Sequence, residues 1–565
     1  MRTGPVERID VQTGTPSGFR DILPTEAVAR ERISDKVREC FSSHGYLPVE
    51  TPLLEDKSSL ERGGRVPESP FQLFDGDGSL LVMRPDLTLA IARMVSERMG
   101  DATLPLRLRY CSPVVREESR LSGQPRQFTQ LGVELVGGSG VDGESEVIAL
   151  LAEALTALDV PDWRIVCGSV TPLTALLDSC APNDEEFRAN VLRLVHESDL
   201  VGLDEYVKSS DVDKTAAHAL MRLPRLAGGE KVIDELDDLL DEAGVEPDLR
   251  GTTELRALVA QLSRLAGEDR LYFDFSIMNS FDYYTGVIFK GYAEGITAAI
   301  ASGGRYDAVL ESFGLSSVAA CGFMLSLERL QEILGEQGES GVVAPGVRVA
   351  ERPLRIAVPK GGLFKDAVRL LGAVGLPTEE LANPGRRLIV NAGDVEYIIV
   401  RAQDAPVFVA HGGADCGICG SDSIIEAGVD LVQLVDLRFG GCRFVVAEPA
   451  WRMGAAERAY AWRGTVRVAT KYPRITRSYY QRIGQQVDIV QLHGNIELGP
   501  IVGMTDRIVD ITATGTTLAE NDLVVVDEVL ECTARFFSGP AAYRSNPRIR
   551  ELSERMARIV AGDKE

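Results

Sequence analysis

From Thr25 to about His44, apolar residues recur at helical spacing, which predicts an opening helix. Short strand patterns follow in SLLVMRP (79–85), LRLRYCSPVV (106–115) and QFTQLGVELVG (127–137). A stretch of about 171–265, with helical periodicity and clustered Asp and Glu, interrupts them. Strand patterns resume in LYFDFSIM (271–278), GVIFKGYAE (286–294) and AAIASGG (298–304), and a helix is expected over Gly322–Leu334. Strand runs with helices inserted between them predict an α+β domain on a largely antiparallel sheet.

The rhythm then breaks. Residues 331–353, QEILGEQGESGVVAPGVRVAERP, crowd Gly, Pro, Glu and Ser as a linker does. Beyond it, short apolar runs alternate with helical segments: RIAVP, YIIVRA, CGICG, FVVAEP, RVATKY, IVQL, IVDI and LVVVDEVL. That alternation predicts an α/β domain. The expected organisation is a first domain at 1–330, a linker at 331–353 and a second domain at 354–565.

With 565 residues, 45% of them hydrophobic, the chain can bury several cores, and a disordered or fibrous polypeptide is excluded. The balance of 60 basic against 84 acidic residues gives −24, which argues against nucleic acid as a partner because phosphate binding needs a basic face. Nine scattered cysteines make no disulfide framework and fit a reducing compartment. The single C-x-x-C, Cys416 and Cys419, reads as packing rather than a zinc site. The acidic run Asp234–Glu246 reads as a solvated helix face. The opening residues are polar, and no run approaches 18 apolar positions, so no membrane span and a cytoplasmic location are expected.

The densest chemistry lies in RIVDITATGTTLAEN (507–521). A strand carries Asp510 at its end and runs through Thr512, Ala513, Thr514, Gly515, Thr516 and Thr517 into a helix start. Small residues let backbone N–H groups close on an anion, and the helix terminus adds partial positive charge. The carboxylate suits a sugar diol or its Mg²⁺. An ordinary strand–turn–helix with a threonine cap is the alternative. Glu497, in HGNIELGP, precedes Asp510 by thirteen residues. LRIAVPKGGLF (354–364) places Lys360 and two glycines ahead of a helix, and VRAQDAPVFVAHGGADCGICGSD (400–422) supplies Arg401, Asp404, Asp415 and Asp422 around Gly-rich turns.

In this order and spacing these segments, with DLRFGGCRFVVAEP and VRVATKYP, resemble ATP phosphoribosyltransferase of the short, catalytic form, over about 353–555. The resemblance implies a two-lobed α/β fold like that of periplasmic binding proteins, with the site in the cleft. It implies ATP and phosphoribosyl pyrophosphate as substrates and Mg²⁺ accompanying them, without a dedicated metal site of the protein. Asp510 and Glu497 would bind the ribose hydroxyls, and 512–517 the 5-phosphate. Arg386, Arg401 and Lys360 would neutralise pyrophosphate and triphosphate charge, with one arginine acting across a dimer interface. Arg387, adjacent to Arg386, is the alternative for that role; Asp415 and Asp422 are either site or turn residues. The family's usual PKGR is here Pro359, Lys360, Gly361, Gly362, which leaves the detail of triphosphate binding open.

In the first half GFRDILP (18–24), MRPDLT (83–88), PVVREESRLSGQPRQFTQLGVELVG (113–137), FDYYTGVIF (281–289), SGGRYD (302–307) and CGFMLSLERL (321–330) resemble histidyl-tRNA synthetase. The match is closest to the synthetase-like regulatory subunit of ATP phosphoribosyltransferase, so a class II synthetase-like antiparallel fold is implied. Asp86, Thr88, Gln130, Glu134, Tyr283 and Tyr284 suit an amino-acid ammonium and an imidazole, and Arg116 suits a carboxylate. Ordinary strand packing is the alternative for Tyr283 and Tyr284. Asn279 stands where synthetases carry an arginine that steadies the adenylation transition state, and Ser326 stands for an expected glycine. No anticodon-binding module follows Leu330, so tRNA charging is not expected.

The combined expectation is a histidine-inhibited ATP phosphoribosyltransferase, the first step of histidine biosynthesis, assembled as a homodimer or homotetramer. The alternative is a sensor fusion that binds histidine and a nucleotide without catalysis.

Overall fold

A computed structural model of the chain describes residues 14–62, 71–116, 125–138, 140–277, 284–335, 352–512 and 515–562. They gather into two compact units, one drawn from 1–175 and 226–342, the other from 176–225 and 343–565. The first half's helical stretch is thus divided between them. No helix among the described residues is long and apolar enough to cross a membrane.

The first unit opens on the expected helix, Pro24–Ser43, with proline at its amino end, where a missing N–H costs nothing. Ile33, Val37 and Phe41, four apart, are its buried stripe. The unit is built on a nine-stranded, mostly antiparallel sheet. Leu106–Val115 pairs with Gln127–Val136, which pairs in turn with Ala320–Ser326, followed by Ala301–Arg305 and Val287–Tyr292.

The helix expected over Gly322–Leu334 is corrected here: Ala320–Ser326 is a strand, and the helix begins at Leu327 and runs to Gly335. CGFMLS carries no polar face because it lies between two strands and is covered on both sides, so neither period is legible in it. Gly322 fits only as glycine, since a Cβ there would fall 2.0 Å from Glu134 Oε2. The helix also takes in the first residues of the expected linker; 336–351 lie outside the described residues.

The second unit holds two sheets. In the six-stranded one, Leu354–Lys360 runs parallel to Val395–Arg401 and Cys416–Gly420. In the five-stranded one, Val466–Thr470 runs parallel to Val487–Gln491 and Arg507–Thr512. The chain crosses between the sheets twice: from Val432–Asp436 to Cys442–Pro449, and back from Leu523–Cys532 to Ala534–Ser538 through Thr533 alone. Cys416 and Cys419 sit three apart on one strand and face different cores, as packing residues do. Helices Glu185–His196, Leu200–Lys208 and Lys214–Arg222 also belong to this unit, and Asp184, Asp199 and Asp213 cap them in turn.

Candidate active site and amino-acid pocket

The parallel register of the first sheet sets Lys360 directly beside Arg401, both exposed at the carboxyl ends of their strands. Ligands of open α/β sheets bind beyond such ends. Neither cation has an ion-pair partner among the described residues, so an incoming polyanion meets two charges that nothing has neutralised. Gly361 follows at φ +104°, a conformation that L side chains resist, and it turns the chain toward helix Phe364–Ala373.

Arg401 lines a cavity of about 330 Å³ with Gln403, Asp422, Ser423, Tyr472 and Thr533. Burial raises the Asp422 carboxyl above its ordinary range, and the Lys471 ammonium opposes that rise. Burial likewise raises the Tyr472 phenol, helped by the fields of Asp422 and Asp510 and opposed by a hydrogen bond with the Gln403 side chain. Tyr472 therefore links the cavity to the strand that carries Asp510.

That strand is Arg507–Thr512. Burial pushes the Asp510 carboxyl up, the neighbouring Glu497 adds to the rise, and the Ile511 N–H and Lys471 hold it down. The Ile511 N–H donates to Asp510 Oδ1 at 2.8 Å. After the strand the Thr512 hydroxyl accepts from the Gly515 N–H at 2.8 Å, and Gly515, at φ +76°, starts helix Thr516–Glu520. Ala513 and Thr514 lie outside the described residues, as does the side chain of Thr516; Thr517 is exposed. The geometry thus joins Asp510, Glu497 and the turn, and separately Lys360 with Arg401.

Asp415 plays a different part. It is buried, pairs with Arg352 at 2.8 Å and Arg355 at 3.4 Å, and accepts the Arg355 N–H at 2.8 Å. It anchors the start of Leu354–Lys360 and is structural. Arg387 pairs with Glu380 at 2.9 Å, whereas Arg386 has no ion pair among the described residues. Lys471, Tyr472 and Gln403 were not singled out from the sequence. Their signal was position: Lys471 and Tyr472 follow strand Val466–Thr470, and Gln403 follows Val395–Arg401.

In the first unit Glu134 is the centre of a buried polar cluster. Thr88 Oγ1 donates to its Oε1 at 2.9 Å, Tyr110 OH reaches the same oxygen at 3.4 Å, and Tyr306 OH donates to Oε2. Burial pushes its carboxyl up to about 8. Asp86 accepts the Thr88 N–H at 2.8 Å and pairs with Arg116 at 3.3 Å. Arg116 also donates to the Pro85 carbonyl at 2.8 Å and lies over the Phe128 ring. It is therefore partnered before any carboxylate arrives. Gln130 is fully buried, yet neither atom of its amide has a hydrogen-bond partner among the described residues. Ser326 is its register partner on the adjoining strand. Tyr284 packs against the core around Tyr110 and Tyr306; Tyr283 and Asn279 lie outside the described residues.

A family model described as histidyl-tRNA synthetase matches residues 18–330, and one described as ATP phosphoribosyltransferase matches 401–558. An ATP phosphoribosyltransferase of Rubrobacter xylanophilus is 52% identical over 193 residues, 34% of this chain and 89% of that protein. An ATP phosphoribosyltransferase regulatory subunit of Moorella thermoacetica is 34% identical over 348 residues, 60% of this chain and 86% of that protein. The chain belongs to both families, one in each half. A crystal structure from Bacillus halodurans, described as an ATP phosphoribosyltransferase regulatory subunit/histidyl-tRNA synthetase, matches with a TM-score of 0.53 at 28% identity, covering 69% of this chain and 100% of that one.

The ATP phosphoribosyltransferase half makes the chain an enzyme, a transferase of histidine biosynthesis. The histidyl-tRNA synthetase half carries a stability signature of its own. A carboxyl held near 8 when folded, against an ordinary value of 4.5, keeps its proton in the native state while the unfolded chain has lost it. Stability therefore falls as pH rises from about 4.5 to about 8 and is flat above, with a limiting slope of about 1.4 kcal/mol per pH unit from this group. Glu134→Gln is expected to flatten the dependence of melting temperature on pH across that window. An unchanged slope would place the titration elsewhere.

Proposed function

We propose that the second half joins N1 of ATP to the anomeric carbon of phosphoribosyl pyrophosphate, releasing pyrophosphate, and that histidine bound in the first half turns the reaction down. The observation that carries the catalytic reading is Asp510: a buried carboxyl pushed up by Glu497 and by burial, one turn ahead of Gly515 and a helix start. Against this pair stand the Lys471 charge and the Ile511 N–H, and the hydroxyls of a ribose diol would add further donors to it. Asp510 and Glu497 would also hold a Mg²⁺ that arrives with the substrate, and that ion would supply positive charge to the diphosphate.

No covalent nucleophile is needed. What this chain contributes is orientation of two polyanions and fixed positive charge where the leaving diphosphate develops its own. Lys360 and Arg401 supply that charge from neighbouring strand ends. The two sheets joined by two crossovers support a two-lobed fold of the periplasmic-binding-protein kind, with the cavity at Arg401 and Tyr472 as its cleft. Nine free cysteines fit a cytoplasmic setting, and a homodimer or homotetramer is the assembly we propose.

Purified chain given ATP, phosphoribosyl pyrophosphate and Mg²⁺ is expected to form phosphoribosyl-ATP and pyrophosphate in equal amounts, less of both as histidine is added. Absence of product would leave the sensor reading in its place. Arg386 and Arg387 are expected to separate in the same assay. Arg387 is held by Glu380, so Arg387→Ala should change kcat/KM less than threefold, whereas Arg386→Ala should cost on the order of tenfold or more. Equal losses would overturn the choice between them.

A further inference from the structure

Ser198–Lys208 lies within the synthetase-family match, yet it packs as part of the transferase unit. Its attachment is specific. Val432–Asp436 is the edge strand of the six-stranded sheet, and edge strands offer unpaired backbone groups. Here the Gln433 N–H donates to the Ser198 carbonyl at 3.1 Å, and Asp199 forms a parallel bridge with Gln433. Ser198 adopts φ +53°, a left-handed conformation that is costly for serine and that this docking holds in place. Asp199 then caps helix Leu200–Lys208 through the Gly202 N–H at 2.9 Å. Leu200, fully buried, joins the core formed by Leu354, Val432 and Leu434.

The helix also reaches the crossovers. Glu205 pairs at 3.5 Å with Arg535, which pairs with Asp436 at 2.7 Å and donates to Thr533 Oγ1 at 2.8 Å. Thr533 Oγ1 donates in turn to Asp436 at 2.6 Å. Asp436 ends the strand that enters one crossover, and Thr533 is the whole of the other. Thr533 also lines the cavity with Arg401. One guanidinium thus ties both inter-sheet connections together, and a residue of the helical segment bears on it. At its other end the segment follows helix Thr171–Cys180, along which the chain passes from the first unit into the second.

We propose that Ser198–Lys208 is the relay by which amino-acid binding in the first half reaches the cleft, with Glu205 as a positioning residue acting through Arg535 on the two crossovers. This rests on the histidine-feedback reading above. Coupling needs an element that both sites bias, and a segment continuous with the first unit and seated on the second unit's crossovers is such an element. Glu205 lies outside the residues assigned to substrate or effector, and its side chain is 62% exposed, so replacing it leaves the fold intact.

The test compares wild type with Glu205→Lys, which sets an ammonium against Arg535, and with Glu205→Lys combined with Leu200→Ala, which also loosens the docked core. Three quantities are read on the full chain: turnover without histidine, histidine affinity by calorimetry, and hydrogen exchange of the Gln433 amide. In at least one variant we expect turnover and affinity within twofold of wild type, faster Gln433 exchange, and a histidine inhibition constant weakened at least fivefold, within the 5–150-fold span of ordinary couplings. Inhibition unchanged in both variants overturns the relay, as does inhibition that weakens only in step with histidine affinity. A wild-type chain that binds histidine and keeps full turnover overturns the feedback reading itself, and the relay with it.

Discussion

Arg401→Ala is expected to lower kcat/KM for phosphoribosyl-ATP formation by about 10²–10³, the usual result of removing one donor aimed at transition-state charge. Arg401 ends its strand beside Lys360, lines the cavity, and has no carboxylate partner among the described residues. Its charge is therefore fully available to a departing diphosphate, and its loss leaves no buried anion unpaired. The folded state should not register the change: melting temperature and circular dichroism should match wild type, so the loss reads as chemistry. Arg401→Lys should recover part of it, since an ammonium keeps the charge but not the forked geometry. Lys360→Ala should cost less than Arg401→Ala, because Lys360 does not line the cavity. Near-normal turnover by Arg401→Ala would remove the residue from the site.

Why Arg401 was legible in the sequence and Tyr472 was not is a matter of local signal. Arg401, in VRAQD at the end of an apolar run, is singled out by the resemblance, and the structure sets it on the cavity wall. Lys471 and Tyr472 also follow a strand, but a tyrosine after a strand is common packing, and only its proximity to Asp422 and Asp510 marks it. Asp415 shows the opposite case. As a carboxylate in a Gly-rich turn it reads as either a site or a turn residue, and its pairing with Arg352 and Arg355, more than fifty positions earlier, appears only in three dimensions. The alternation of strands and helices gave the second half its class from residue 354 onward. The strand Ala320–Ser326 stayed hidden because full burial erases the period-two signature. The division of the helical stretch at Leu176 could not be read at all: the apolar stripe of Leu200–Lys208 declares that it is buried, not against which core.

Gln130→Leu is the variant in which function and stability should move in opposite directions. A fully buried amide whose oxygen and nitrogen both lack partners among the described residues costs its desolvation, about 1–3 kcal/mol. Leucine has similar volume and no polar atoms, so it removes that cost and should raise the melting temperature. Histidine binding should change the other way. Sites built to hydrogen-bond a polar group discriminate strongly once the bond is lost, and Gln130 lies in the same buried region as Glu134, on the same strand four residues earlier. A fall in histidine affinity of at least about 10²-fold is expected, with turnover in the absence of histidine unchanged. Gln130→Glu separates the two causes: it keeps hydrogen-bonding capacity but buries a third acid beside Glu134 and Asp86, so it should lower both melting temperature and affinity. If Gln130→Leu raised the melting temperature and left histidine affinity intact, the unsatisfied amide would be a cost without a ligand behind it. The amino-acid pocket would then have to be sought away from this strand.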